Sequence, residues 1–501
     1  MLLLGIDLGT SSVKVSVINT DTLRTVATTQ YPETENEIIA LHSGWAEQSP
    51  DLWWEQVQLA VLKLNALQKY NPSDISAIGI AYQMHGLVVI DKSETVLRNS
   101  IIWCDSRAVE LGNKAFEVIG KERCLTHLLN SPGNFTASKL AWVKQNEPDV
   151  YEKIDKIMLP GDFIAMKMTG QTTTSIAALS EGIFWDFKKN ELSDDVFDYF
   201  QLNKSFIPPV KKVFSEHGCL KASVAESLSL KKGIPVTYKA GDQPNNALSL
   251  NVMQPGEFTA TAGTSGVIYG VSDQLTSDRE SRVNSFAHVN HVPSHGATND
   301  IRLGVLLCVN GAGILNRWVK NIAGHSMSYT QMTELARTVN AGSDGLMIFP
   351  FGNGAERILS NRILGGSMNA IDFNTHSQGH LFRAAQEGVA FALRYGLDIM
   401  KENGMTPKVI RAAKANMFLS DVFTQCFVNT TNVPIEFYDG DGSFGAAIGA
   451  GIGRGALMAN PQTSKRRPLS VIEPGQTAQY NTLYQKWKEI LERNLAGNHK
   501  S

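Results

Sequence analysis

Apolar and polar residues alternate from the first positions of the chain. Leu2, Leu3, Leu4, Ile6 and Leu8 make a hydrophobic strand, and Val13, Val15 and Val17 resume as a second one with Lys14 and Ser16 between them. Gly9-Thr10-Ser11 supplies the turn of this hairpin. Asp7, near the end of the first strand, costs free energy beside apolar neighbours unless something pairs with it, and a ligand is a ready partner.

The pattern then changes period. Ser49-Pro50-Asp51 starts a helix on which Trp54, Val57, Val61 and Leu64 recur at helical spacing. ISAIGIAYQMHG (75–86) reads as a buried strand ending in a turn, and LVVIDKSETVL (87–97) as a strand pair joined at Lys92-Ser93-Glu94. Alternating strands and helices indicate an α/β class. Near residue 235 the order restarts: IPVTYKAGDQPNNALSL gives strand, turn and helix, and EFTATAGTSGVIYGVSD gives a hairpin. Gly263-Thr264-Ser265, Val267 and Val271 repeat Gly9-Thr10-Ser11, Val13 and Val17 at the same offsets. Two duplicated lobes are expected, residues 1–250 and 251–501, the second ending in a packing helix with Tyr480, Leu483, Tyr484, Trp487, Leu491 and Leu495 on one face. Good turn chemistry used twice also explains so short a match.

Composition narrows the partners. The 46 Lys plus Arg nearly balance the 48 Asp plus Glu, so no net field recommends nucleic acid or an anionic membrane. Five scattered cysteines, never paired as C-x-x-C, argue against a disulfide framework or zinc site and for the cytoplasm. No apolar stretch reaches signal-peptide or membrane-span length.

Glycine and small hydroxyl residues between two strands leave backbone N–H groups open to phosphate oxygens. Two such bends clamp a nucleoside triphosphate if they face one another. The lysine-bearing G-x-x-x-x-G-K-[ST] loop is missing, since Gly120-Lys121 runs into Glu122, and Lys14 is the nearest substitute. Gly440 to Gly445 satisfies G-x-G-x-x-G after a strand-like segment. The acid expected about 20 positions on for a dinucleotide ribose is missing until Glu473, so these glycines are read as close helix packing or a loop near another nucleotide.

Taken together, GIDLGTSSVK, GWAEQSPDLWWEQ, QMHG, IIWCDSRA, NFTASKLAWVKQNEP, LPGDFIAMKMTG, AGDQPNNA, AGTSG and AAQEGVAFALRYGLDIM resemble the FGGY family of carbohydrate kinases, most closely its xylulose kinases. The resemblance spans nearly the whole chain. It implies a two-lobed actin-like ATPase (ribonuclease H-like) fold around a cleft, and ATP- and Mg²⁺-dependent phosphorylation of a ketose, D-xylulose first. It implies Asp242 as the base that accepts the sugar proton, although an aspartate there also serves as a helix cap. Asp7 would orient Mg²⁺ through water or hold the phosphate environment. Met84, His85, Gln243, Trp103 and Asp105 are the implied sugar contacts. For ATP the expected residues are Thr10, Ser11, Lys14, Gly263, Thr264, Gly311 and Asn416.

Some positions depart from the family. Gln243 follows the base where xylulose kinases usually carry Asn, so another polyol or ketose stays open as acceptor. Arg411-Ala412-Ala413-Lys414 replaces a glycine-rich nucleotide loop, which keeps open a sugar-binding regulator without turnover. Ser175 and Ala178 replace aspartates, and Asn134 replaces a glycine. A homodimer is also left open.

Overall fold

The computed structural model describes residues 1–293, 300–458 and 466–497. Lys465, the first residue of the basic run read as a solvated loop, lies outside them. Two sheets organise the molecule. In the first, five strands run in the order Val236–Gly241, Ile75–Tyr82, Leu2–Leu8, Val13–Asn19, Arg24–Tyr31. Leu2–Leu8 pairs antiparallel with Val13–Asn19 and parallel with Ile75–Tyr82, so the opening hairpin forms with Leu8 opposite Val13.

The second sheet repeats this wiring. Glu257–Ala262 pairs antiparallel with Gly266–Ser272 and parallel with Val409–Ala413, which pairs parallel with Ile435–Tyr438. Leu303–Val309 takes the place of the third strand, and edge strands Asn284–Ala287 and Ser470–Ile472 bring the total to seven. The short Gly-Thr-Ser match therefore marks a repeated topology, not turn chemistry alone.

Helix Pro50–Ala66 starts where Ser49 accepts a hydrogen bond from the Leu52 N–H. It turns Trp53, Val57, Ala60, Val61 and Leu64 into the core. Trp54 lies on the flank of that face, because the buried stripe steps from 53 to 57, 60/61 and 64. The expected strand pair at 87–97 shrinks to Val88–Ile90 paired with Lys156–Met158, plus one bridge from Ile90 to Val96. The closing helix, Thr477–Gly497, buries Tyr480, Tyr484, Trp487, Leu491 and Leu495 as its spacing predicts. Leu483 is only partly buried.

Helix Gly442–Gly453 comes from the C-terminal half of the sequence yet packs on the first sheet, against the strands starting at Leu2, Val13, Ile75 and Val236. Its small residues permit this. A Cβ at Gly445 would press on Asn245 and Ser249. The G-x-G-x-x-G spacing thus serves helix packing, the first of the two readings left open for it. All five cysteines are free thiols, and no helix among the described residues is long and apolar enough to cross a membrane.

Candidate active site

Where the first sheet meets helix Gly442–Gly453, Asp7 lies under the helix start and within reach of the charges of Asp242 and Asp441. Asp7 stands opposite Lys14 across the hairpin, and Lys14 reaches Asp441 at 3.2 Å. A Cβ at Gly442 would fall 2.0 Å from Asp7 Oδ2, so glycine there lets the helix start close over the carboxylate. Burial, then the charges of Asp242 and Asp441, push Asp7 up to about 7 against the pull of Lys14. A site that crowds negative charge in this way suits a cation.

Asp242 follows the strand Val236–Gly241 and opens helix Asp242–Ser249. Burial raises its carboxyl to about 6, opposed by hydrogen bonds from the backbone and side chain of Gln243. Gln243 therefore touches the expected base directly.

Met84 and His85 meet Asp242 from the neighbouring strand. A Cβ at Gly241 would lie 2.6 Å from both Met84 Cγ and Glu181 Oε2, so thioether, carboxyl and base crowd one spot. His85 adopts a left-handed backbone, φ 63°. Its carbonyl accepts from Lys139 Nζ at 2.8 Å and Thr136 Oγ1 at 3.3 Å, which hold that turn. The His85 ring packs on Phe135 and on Phe286 of the second sheet. Burial, with the Lys139 ammonium behind it, lowers His85 to about 3, so the ring is neutral. Its Nδ1 lies 3.0 Å from the Glu181 carbonyl, which can only accept. The proton therefore sits on Nδ1, leaving Nε2 as an acceptor.

Of two further expected sugar contacts, one is engaged within the protein and the other is tied to the first bend. Asp105 is fully buried and its oxygens are taken by the Ala46 N–H at 2.6 Å and by Arg107 at 2.6 and 2.9 Å. Arg107 in turn lies over the Trp45 ring and pairs with Glu47. Asp105 is thus the buried counter-charge of a structural arginine. Trp103 is 53% exposed and donates Nε1–H to Thr10 Oγ1 at 2.9 Å.

The same bond corrects the picture of Thr10. Its hydroxyl is held between Trp103 and Gln83 Oε1 (3.1 Å), and its carbonyl accepts from Gln48 (2.8 Å). The hydroxyl is committed to the protein and is not a loose phosphate donor. Ser11 is exposed at the tip of the bend.

The second bend borders a cavity of about 700 Å³, lined among others by Gly263, Thr264, Gly313, Arg317, Tyr329 and Asn416. The Thr264 carbonyl accepts from the Ile314 N–H at 3.1 Å, tying the bend to helix Ala312–Ala323. Gly311 is not in this wall. A Cβ there would meet the Pro350 carbonyl at 1.3 Å, and its N–H donates to Glu356, so it is a packing glycine. Gly313, two residues on, takes the lining position.

Arg411 to Lys414 leave the cavity wall free. Arg411 turns to Glu257 (2.9 Å) and Glu436 (2.8 Å) on the neighbouring strands, Ala412 is buried, and Lys414 is exposed. The loss of glycines there does not occlude the cavity.

Residues 2–249 match the N-terminal domain of the FGGY family of carbohydrate kinases. The chain belongs to this family. The xylulose kinase of Escherichia coli (strain K12) is 27% identical over 494 residues, 98% of each chain. The crystal structure of a xyloylose kinase from Brucella ovis superimposes with a TM-score of 0.87 at 26% identity, covering 99% of this chain and 100% of that one. Plasmodium falciparum glycerol kinase with ADP gives a TM-score of 0.88 at 21% identity over 99% and 98% of the two chains, a likeness of fold. The repeated sheets are thus the two halves of the actin-like ATPase fold used by FGGY kinases.

Sequence reasoning passed over Glu181 and Lys139 of this FGGY site. Glu181 lies in an apolar run and Lys139 among buried helix neighbours, and such isolated charges were the available signal.

Proposed function

We propose that the chain transfers the γ-phosphoryl group of ATP to a hydroxyl of a ketose, D-xylulose before others, giving D-xylulose 5-phosphate and ADP. One observation carries this reading: a half-buried carboxylate, Asp242, raised to about 6, has Met84, Glu181 and the neutral His85 turn beside it and Asp7 within reach of its charge.

A base held near 6 is ionised at neutral pH yet still basic enough to take a proton as the hydroxyl attacks. Asp242 accepts that proton, Gln243 orients the carboxylate, and His85 Nε2 accepts a second sugar hydroxyl. Ser11, Gly263 and Thr264 hold phosphate oxygens, and Asn416 lines the cavity for the rest of the nucleotide. Asp7, with Asp441 beside it, would hold Mg²⁺, which supplies charge neutralisation on the phosphates. No group of three or more potential ligands comes together among the described residues. Mg²⁺ needs none, because it commonly binds through one or two carboxylates plus waters and substrate phosphates.

The lobes in this reading are 1–250 and 251–501, with helix Gly442–Gly453 lent to the first. Free thiols throughout fit the cytoplasm. A coupled ADP-release assay across pentuloses, hexuloses and polyols tests the function. D-xylulose is expected to give the highest kcat/KM; activity with glycerol and none with xylulose would overturn the sugar assignment. Gln243 favours keeping polyols in that panel, because its side chain touches the base.

A further inference from the structure

A turn packed on the second sheet carries an arginine that has no role above. Arg357 opens the short turn Arg357–Leu359. Its neighbour Glu356 is fully buried and accepts from the N–H groups of Asn310 (3.0 Å) and Gly311 (3.2 Å), just past the strand Leu303–Val309. That anchor sets Arg357 in the wall of a cavity of about 210 Å³, together with Asn284, Cys308, Asn310 and Asn361.

The cavity lies where the two halves meet. Asn284 donates to Asn130 of the first half at 3.1 Å, and Phe286, two residues on, packs against the His85 ring. The Arg357 charge acts on His85 from this side. It also acts on the Cys308 thiol in the same cavity wall, which is hydrogen-bonded to Ser265 of the second bend. Arg357 thus shares a wall with Cys308, which leads to the second bend, and with Asn284, whose strand carries the Phe286 that packs on His85.

Its partners are few. Nη1 donates to the Ser281 carbonyl at 3.3 Å, and no carboxylate among the described residues forms an ion pair with it. A guanidinium drawn partly out of water without an anion costs free energy. A neutral sugar does not offset that cost, whereas a phosphoryl group does; Lys14 already pairs with Asp441, and Lys139 is held by the His85 and Ile102 carbonyls.

We propose that Arg357 is a catalytic residue whose guanidinium binds the non-bridging oxygens of the γ-phosphoryl group in transit. The inference rests on the kinase reading. In the step the bond from phosphorus to the β,γ-bridging oxygen breaks and a bond to the sugar oxygen forms. The hydroxyl proton goes to Asp242, the electron pair leaves with ADP, and Arg357 keeps its proton throughout.

Steady-state kinetics of Arg357→Gln and Arg357→Lys with D-xylulose and MgATP test this. We expect kcat to fall about 100-fold or more in Arg357→Gln, with both KM values within about threefold. Guanidinium added to Arg357→Ala should restore about a tenth or more of the lost rate. A readout independent of turnover is binding of ADP with aluminium fluoride, expected to weaken by about 30-fold in Arg357→Gln while ADP alone changes less than about threefold. Unchanged kcat, a rise in D-xylulose KM at constant kcat, or equal aluminium fluoride affinity overturns the proposal. So does a loss of rate that comes with early unfolding in both Gln and Lys variants and no rescue by guanidinium. If the wild type releases no ADP with any sugar, the kinase reading fails, and the aluminium fluoride comparison still decides Arg357.

Discussion

Gly9-Thr10-Ser11 and Gly263-Thr264-Ser265 share their letters and their place in a hairpin, but not their surroundings. Around the first bend the protein closes in. Thr10 is bonded to Gln83, Gln48 and Trp103, and Lys14 beyond it is paired with Asp441. Around the second, Thr264 is exposed and Gly263 borders open space of about 700 Å³. Gln83 directly precedes Met84 and His85, so the first bend is wired to the turn that carries them. The second is left free for a ligand. One turn chemistry therefore serves two tasks, and neighbours far away in sequence decide which.

This contrast is broken most directly at the carboxylate next to the sugar turn. Asp242→Asn should lower kcat by about 10³-fold or more with little change in either KM, since only proton acceptance is lost. Retained turnover would remove the base and the comparison with it. Next comes pH. Because burial raises Asp242, the carboxyl protonates and stops serving as base as pH falls through about 6. With MgATP saturating, kcat/KM for sugar should drop about tenfold per unit below that point and stay flat from 7 to 8. A profile flat down to pH 5 contradicts the assignment.

Thr10→Val sharpens the comparison. It removes two side-chain hydrogen bonds worth about 1 kcal/mol each, so sugar kcat/KM should fall about 10- to 30-fold while the ATP KM moves less than threefold. The matching change in the second bend, Thr264→Val, should do the reverse: ATP KM up about three- to tenfold, sugar KM unmoved. Equal effects of the two substitutions on the same substrate would show that the bends are not divided in this way.

How much of this was legible follows from what kind of contact makes each feature. Both hairpins were readable, because period-two alternation and a Gly-Thr-Ser turn are local. The place of Asp242, between strand and helix, was readable because both elements are local. Asp105 and Gly311 were misjudged because spacing does not reveal that Arg107 fills the space beside one and Pro350 the space beside the other. Trp53 and Trp54 are adjacent, and only packing chooses between them. Arg357 and Glu181 face His85 from 272 and 96 positions away, beyond any periodicity. Helix Gly442–Gly453 showed its small residues, but not that they let it cross to the first sheet.

The central claim is that the terminal phosphoryl group of ATP ends on a sugar oxygen. Phosphorus NMR of the protein with MgATP and D-xylulose measures that outcome. A sugar-phosphate resonance growing in step with ADP, and absent with Asp242→Asn, is the predicted result. ADP accompanied only by inorganic phosphate, or no ADP with any ketose or polyol, would contradict it.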